Sequence, residues 1–148
     1  MVLEWNNYFL EMAKTASLRS NCIRAQVGAI IVNEGKFIVA TGYNGTPSGV
    51  TSCVDKKYCY RIENSIPSGT RYEDCQSLHA EMNAIIQAGI PKCKGSTMYI
   101  YGHSFVCVLC KRFIVQSGIT GVYLRKDELS EIRYIPISTI KKELEDSL

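Results

Sequence analysis

The spacing of hydrophobic positions predicts a helix followed by a strand hairpin in the first third of the chain. Apolar side chains recur at intervals of three and four residues, which is typical of an amphipathic first helix: Trp5, Tyr8, Phe9, Met12 and Ala13. Two apolar runs, 27–32 and 37–40, flank the turn Asn33-Glu34-Gly35. These runs predict a hairpin of two largely buried strands.

Helix and strand patterns alternate again in the second half. HAEMNAIIQA predicts a helix that starts at or near His79, and residues 97–101 read as a strand. Residues 107–117 predict a second helix with Cys107 in its first turn. Short strands are expected at 121–124 and 134–135, and a closing helix at 138–146. Alternating strands and helices favour an α/β sandwich.

Periodicity disappears between these halves, from Thr46 to Leu78. A segment of about thirty residues without regular structure is uncommon in a compact domain unless something ties it down. At 148 residues the chain is expected to be one domain, 1–148, with a cysteine-containing loop insertion at about 46–78.

Composition narrows the class of protein. Hydrophobic residues make up 46% of the chain and charged residues 21%, as in ordinary globular proteins. The sequence has no apolar run of membrane-spanning length and does not open like a signal peptide, so we expect no membrane contact and a cytoplasmic location. A net charge of +3 without a basic run weighs against nucleic acid as a partner. Seven cysteines in a reducing compartment favour metal ligation over disulfides.

One histidine and two cysteines have the spacing of a catalytic zinc site. His79 precedes Glu81 by two residues, and Cys107 and Cys110 form a CxxC pair. Catalytic zinc usually takes three protein ligands and keeps its fourth position for water, whose pKa falls to about 7. Side chains two apart on a helix do not share a face, so Glu81 is poorly placed to chelate the same ion. It remains a candidate to carry protons for that water.

This combination matches the H-x-E…C-x-x-C signature of zinc-dependent nucleobase deaminases. In that chemistry the carboxylate takes a proton from water and returns it to the ring and the departing amine. Glu81 is therefore the candidate catalytic residue. The plainer alternatives are a structural zinc knuckle, or a CxxC pair that never meets the histidine.

The chain also resembles the deoxycytidylate (dCMP) deaminases of the cytidine deaminase-like superfamily over nearly its whole length. The resemblance is carried by RAQVGAIIV (24–32), ATGYNGTPSG (40–49), LHAEMNAII (78–86) and QSGI (116–119). It implies a three-layer α/β/α sandwich with a central mixed sheet and zinc-dependent hydrolysis of dCMP to dUMP and ammonia. Asn44 would then hold the sugar or base, and the backbone amide of Ala80 would grip the pyrimidine. It also implies a homo-oligomer, with hexamers common, and regulation by dCTP and dTTP.

The sequence departs from the family pattern beside the zinc motif. Val106 stands where the family usually has proline, and the segment from Tyr99 to Cys107 is about two residues longer. Other substrates on the same site therefore stay open: a free nucleoside, another amino-substituted base, or a base within RNA. A zinc-binding module without turnover is a third alternative, although it has no use for Glu81.

Four further cysteines predict a second, structural zinc: Cys22, Cys53, Cys59 and Cys75. A four-thiolate ion would tie down the aperiodic segment, and the resemblance implies a second zinc in this region. The alternative is that these thiols are small buried side chains without a common partner. Cys93 is expected to be inert.

Several polar residues are candidates for substrate contact. His103 lies four residues before Cys107 and could contact the substrate, although a lone loop histidine is more often exposed to solvent. Guanidinium groups match phosphate geometry, so possible phosphate contacts are Arg24, Arg71, Lys111 and Arg112. Each of these cations could equally be a solvated surface charge.

Overall fold

A five-stranded mixed sheet forms the centre of the computed structural model, which describes all residues, 1–148. Its strands are β1 (Gly28–Val32), β2 (Ile38–Tyr43), β3 (Thr97–Tyr101), β4 (Gly121–Arg125) and β5 (Arg133–Pro136). Their order across the sheet is β2-β1-β3-β4-β5. β3 and β4 run parallel, and the other neighbouring pairs run antiparallel. The predicted hairpin and the three later strands are confirmed.

Helices cover both faces of this sheet. They are α1 (Trp5–Ser17), α2 (Cys53–Lys56), α3 (Tyr60–Glu63), α4 (Ala80–Ala88), α5 (Ile90–Cys93), α6 (Val108–Ser117) and α7 (Ile137–Asp146). α1 packs on one face, while α4, α6 and α7 share the core of the other face. The predicted three-layer α/β/α sandwich is confirmed. None of these helices has the length and apolar character needed to cross a membrane.

Strand β1 is buried on both faces and joins the two halves of the core. Ile30 and Val32 pack with Phe9 of α1, whereas Ala29 and Ile31 belong to the cluster beneath α4 and α6. This alternation follows from the two-residue period of a strand. The continuous apolar run of β1 therefore reflects a strand between two helical layers.

Two glycines let helices approach the sheet closely. A Cβ on Gly28 would collide with the backbone of α1 at Ala13, and a Cβ on Gly42 would collide with the backbone of α4 at Ala80 and Ala84. Since backbone atoms cannot move aside cheaply, only glycine fits at either position. Gly42 thereby fixes the start of α4 against the end of β2.

The structure corrects three details of the sequence-based prediction. The buried side of α1 consists of Phe9, Leu10, Ala13 and Ser17, whereas Trp5, Tyr8 and Met12 are exposed. The segment 46–78 contains two short helices, α2 and α3, and a 3-10 turn at Tyr72–Asp74. The short helix α5 was not predicted, because four residues are too few to show a helical period.

Candidate metal centre and active site

The candidate site lies at the end of the sheet where β1 begins and β2 and β3 finish. Gly28 pairs there with Tyr43 and with Tyr101. The residue after β2 is Asn44, and the loop after β3 leads to α6. Both α4 and α6 start at this end, so two helix N-termini meet where the motifs predicted a metal site. N-termini favour anionic ligands such as thiolates.

The structure brings together the three residues predicted to bind zinc. His79 is the residue immediately before α4, and its side chain makes no capping hydrogen bond. Cys107 caps α6 by accepting from the Cys110 N–H, so it lies just before that helix and not in its first turn as predicted. The Nδ1 atom of His79 lies 3.3 Å from the Sγ atoms of both Cys107 and Cys110. They form the one set of three metal-capable side chains whose ligand atoms all lie within 4.8 Å of one another.

The donor set and its spacing fit zinc. Tetrahedral zinc with nitrogen at about 2.0 Å and sulfur at about 2.3 Å separates those two atoms by about 3.5 Å, close to the distances from His79. Three ligands leave one position for water. These residues could therefore hold a catalytic zinc, as their types and order predicted.

Hydrogen bonds prepare one of the two thiols for metal binding. A hydrogen bond from the Cys110 side chain lowers the pKa of Cys107 to about 4. Burial opposes this shift, and a hydrogen bond from His79 adds to it. The backbone N–H of Cys110 also donates to Cys107 Sγ at 3.3 Å. The hydrogen bond with Cys107, followed by burial, raises the pKa of Cys110. Cys110 is therefore a thiol without metal, and binding a cation would release its proton.

Glu81 lines the same cleft as these ligands and is 6% exposed. It lies in the first turn of α4, outside the set of close ligand atoms. Burial is the main cause that raises the pKa of its carboxyl. A raised pKa makes the carboxyl a stronger base, which suits a group that takes and returns a proton.

Asn44 is buried at the wall of this cleft, and its amide is bonded to the backbone before β1. Oδ1 accepts from Val27 N at 2.9 Å, and Nδ2 donates to Ala25 O at 2.9 Å. One N–H donor and one acceptor lone pair remain on the side chain. Ala80 lines the cleft as the first residue of α4, where backbone N–H groups have no partner within the helix. Contact of Asn44 and Ala80 with a nucleotide stays a prediction.

His103 and Phe105 project from the loop between β3 and α6 into the lining of the cleft. The His103 ring packs edge-on against Phe105 at 4.6 Å, and its Nδ1 lies 3.1 Å from the Phe105 carbonyl. A Cβ on Gly69 would lie 3.7 Å from Cζ of Phe105, so these two residues are neighbours in the cleft lining. Val106, in place of the family's proline, is buried in the core. Substrate contact by His103 stays a prediction.

The four other cysteines also line this cleft: Cys22, Cys53, Cys59 and Cys75. Burial raises the pKa of Cys53, and the nearby Cys59, Cys22 and Cys75 raise it further. Their sulfurs do not form a set within 4.8 Å of one another. Cys53, Cys59 and Cys75 lie in the segment 46–78 and Cys22 lies before β1, so the four thiols share the cleft without the spacing of a closed tetrahedral site.

Two cleft residues were missed by the sequence analysis. The rings of Tyr72 and His79 meet edge to face, with their centroids 5.2 Å apart. The guanidinium of Arg61 lies over the Tyr72 ring, 5.8 Å from its centroid. Arg61 is only 3% exposed. No local pattern signals either residue, since Arg61 lies on the four-residue α3 and Tyr72 starts a three-residue 3-10 turn, both too short to show a period.

The structure separates the four cations predicted as possible phosphate contacts. Arg24 lines the cleft. Arg71 pairs with Asp74 at 2.5 Å, and Lys111 pairs with Glu143 at 2.5 Å, both outside the cleft lining. Arg112 is exposed on α6 and is also outside it.

Comparison with known proteins agrees with this geometry. Residues 3–126 match the family model described as the cytidine and deoxycytidylate deaminase zinc-binding region. The chain belongs to this deaminase family. It is 33% identical over 129 residues to the deoxycytidylate deaminase of Mycobacterium phage D29, an alignment that covers 84% of this chain and 96% of the phage protein.

Among further relatives of this deaminase family member, one is much longer than this chain and one is of similar length. The deoxycytidylate deaminase of Schizosaccharomyces pombe is 40% identical over 118 residues, covering 80% of this chain but 36% of the yeast protein. The chain thus spans about a third of that relative's length. The crystal structure of dCMP deaminase from the cyanophage S-TIM5 in complex with dCMP and dUMP has a TM-score of 0.64 and 28% identity, covering 96% of this chain and 93% of that one.

Proposed function

We propose that this chain catalyses the zinc-dependent hydrolytic deamination of dCMP to dUMP and ammonia. The observation that carries the proposal is the convergence of His79, Cys107 and Cys110 in one cleft with the buried carboxyl of Glu81. The names of the phage and yeast relatives, and of the cyanophage enzyme in complex with dCMP and dUMP, support a deoxycytidylate substrate.

The residues have distinct parts in the proposed reaction. His79, Cys107 and Cys110 would hold zinc, which when bound supplies Lewis-acid activation of water at neutral pH. Glu81 accepts a proton from the attacking water and delivers it to N3 of the cytosine ring. It then passes the water's second proton to the amino group, so that the C4–N bond breaks and ammonia leaves. Burial suits Glu81 to this exchange because it holds the carboxyl pKa above its ordinary value.

Substrate placement is proposed to depend on the cleft wall. The Ala80 amide donates to the pyrimidine, and the free donor and acceptor of Asn44 reach the sugar or base. His103 contacts the substrate from the loop that follows β3. The lining of one cleft by all three residues supports these assignments.

A second zinc, structural in role, is also proposed. Its proposed ligands are Cys22, before β1, and three cysteines of the segment 46–78: Cys53, Cys59 and Cys75. Their lining of one cleft supports a common ion. Such a site would contribute directly to the stability of the folded segment.

The assembly and regulation of the chain are further proposals. A single deaminase domain is supported by one sheet that carries cores on both faces. Homo-oligomerisation, with hexamers as the expected form, is supported by the exposed apolar side of α1, where Trp5 is 54% exposed. Regulation by dCTP and dTTP follows from the family resemblance. Light scattering would test the assembly, and dCMP turnover measured with and without dCTP or dTTP would test the regulation.

A substrate panel tests the proposed function. Zinc-loaded protein is incubated with cytosine, adenine and guanine nucleosides and nucleotides, and ammonia release is measured. We expect dCMP to give the highest kcat/KM, with dUMP as the product by chromatography. Turnover of another amino-substituted base in preference to dCMP would overturn the substrate assignment, and no turnover of any compound would overturn the enzymatic assignment.

A further inference from the structure

The loop between β3 and α6 brings two aromatic rings into the cleft but makes very few hydrogen bonds to the rest of the chain. In this cleft loop, residues 103–106, the rings of His103 and Phe105 line the cleft with their centroids 4.6 Å apart. Nη1 of Arg133 donates to Ser104 O at 2.9 Å. The contact of His103 Nδ1 with Phe105 O lies within the loop, so the bond from Arg133 is the one hydrogen bond that joins the cleft loop to another element.

Both ends of the cleft loop are fixed by the fold. Gly102, just before it, donates its N–H to Arg125 O at 2.9 Å and adopts a φ of +106°. A Cβ on Gly102 would collide with the backbone carbonyl of Gln26, so only glycine lets the chain turn there. At the other end, Val106 is buried in the core. The middle of the loop, between these fixed ends, therefore depends on Arg133.

Arg133 starts β5 and is placed by the hairpin that joins β4 to β5. Arg125, the last residue of β4, donates from Nη2 to Glu128 O at 2.8 Å and from Nε to Ser130 O at 3.0 Å. The Glu128 carboxylate accepts from the Tyr101 hydroxyl at 2.9 Å. The turn of the hairpin is thus bonded to the ends of β4 and β3. Arg133 reaches the cleft loop from a backbone that is itself held in place.

The side chain of Arg133 has no other polar partner. It takes part in none of the five ion pairs in the structure, and its bond to Ser104 O is its one side-chain hydrogen bond. A charged donor makes a stronger hydrogen bond than a neutral one. The guanidinium is therefore committed to the cleft loop and not to the network of surface charges.

We propose that Arg133 is a positioning residue of the active site, which holds the cleft loop so that His103 and Phe105 keep their places beside the bound base. The inference rests on the proposed deaminase function for the identity of the substrate. Arg133 itself does not touch the substrate, since it lies outside the cleft lining. The two rings meet the substrate in the ground state and the transition state alike, so loss of their placement should raise KM and leave kcat nearly unchanged.

Kinetics of arginine variants test this role. kcat and KM for dCMP are measured with zinc-loaded wild type, Arg133→Gln, Arg133→Lys and Arg19→Gln. Arg19→Gln is the control, because Arg19 is also exposed and lies outside the cleft lining. Loss of the hydrogen bond should raise KM about 3- to 10-fold in Arg133→Gln, with kcat and zinc content close to wild type. Arg133→Lys keeps a charged donor and should recover part of the loss, and the control should match wild type.

A double-mutant cycle shows whether Arg133 acts through the two rings. In a background that lacks both rings, His103→Ala with Phe105→Ala, the rings that Arg133 positions are gone. Arg133→Gln should then raise KM by less than about twofold. The same rise in KM with and without the rings would overturn the positioning role, because Arg133 would then act elsewhere. An unchanged KM in Arg133→Gln alone would overturn it as well.

Backbone dynamics separate this inference from the proposed function. 15N relaxation without substrate should give order parameters of about 0.85 for the cleft-loop amides of wild type and below about 0.6 in Arg133→Gln. That result would support the hold of Arg133 on the loop even if dCMP were not deaminated. Equal order parameters in wild type and Arg133→Gln would overturn the proposal even if dCMP were turned over.

Discussion

The side-chain oxygen of Asn44 accepts a hydrogen bond from the backbone amide of Val27, 17 residues earlier, at a distance of 2.9 Å. This bond joins the end of β2 to the start of β1 at the wall of the candidate active site. Nδ2 of the same side chain donates to Ala25 O at 2.9 Å. Asn44 therefore orders the backbone that lines the cleft in addition to its proposed contact with the substrate.

Replacing Asn44 by alanine should destabilise the protein as well as lower its activity. The change leaves the buried Val27 amide without an acceptor, so we expect a loss of about 1 to 3 kcal/mol in the free energy of unfolding. Asn64→Ala is the matched control, because Asn64 makes one exposed amide-to-carbonyl bond, to Tyr60. Urea denaturation measures both. Wild-type stability in Asn44→Ala would show that the side chain serves the ligand alone.

Gly42→Ala should displace the start of α4. The new methyl group would collide with backbone atoms at Ala80 and Ala84, at a cost of about 1 to 3 kcal/mol in stability. Because His79 immediately precedes this helix, zinc affinity should fall too. In Gly35→Ala the nearest atom belongs to the exposed Phe37 side chain, 3.2 Å away, so this control should be nearly neutral. Equal stability of the two variants would contradict the close approach of α4 to β2.

Serine in place of Cys53 or Cys59 should lower both the zinc content and the melting temperature. Wild type is expected to hold two zinc ions per chain after mild dialysis, and either variant one. Cys93→Ala is the control, since Cys93 is buried in the core and lies outside the cleft lining. It should keep both ions. One tightly held zinc in wild type would remove the basis for a structural site.

The parts of the fold that could be predicted are those with a local signal. HAEMNAIIQA carries a helical period and starts at His79, and β1 is a short apolar run beside a turn, so their types and approximate ends follow from sequence. Local periodicity did not predict which side of α1 is buried. Its apolar positions form a wide stripe, and the sheet covers only the part around Phe9, Leu10 and Ala13.

In the candidate site, too, the residues that belong to local motifs could be predicted and the others could not. His79, Cys107 and Cys110 belong to compact motifs, so their convergence could be expected before the fold was known. Arg61 lies on the short helix α3, and Tyr72 follows a loop whose backbone has positive φ at Gly69 and Arg71. The partners of Arg61 are carbonyl groups of that loop. Because every residue has a backbone carbonyl, the sequence does not show which carbonyls accept these hydrogen bonds.

The most direct test of the central claim is dCMP turnover by Glu81→Gln, with zinc content measured on the same sample. Glutamine keeps the size of the side chain and removes its ability to carry a proton. We expect the variant to retain the zinc held by His79, Cys107 and Cys110 and to lose dUMP formation by at least about a hundredfold. Wild-type turnover in zinc-loaded Glu81→Gln, or loss of that zinc with the substitution, would contradict the role of Glu81 as the proton carrier of a zinc-dependent deaminase.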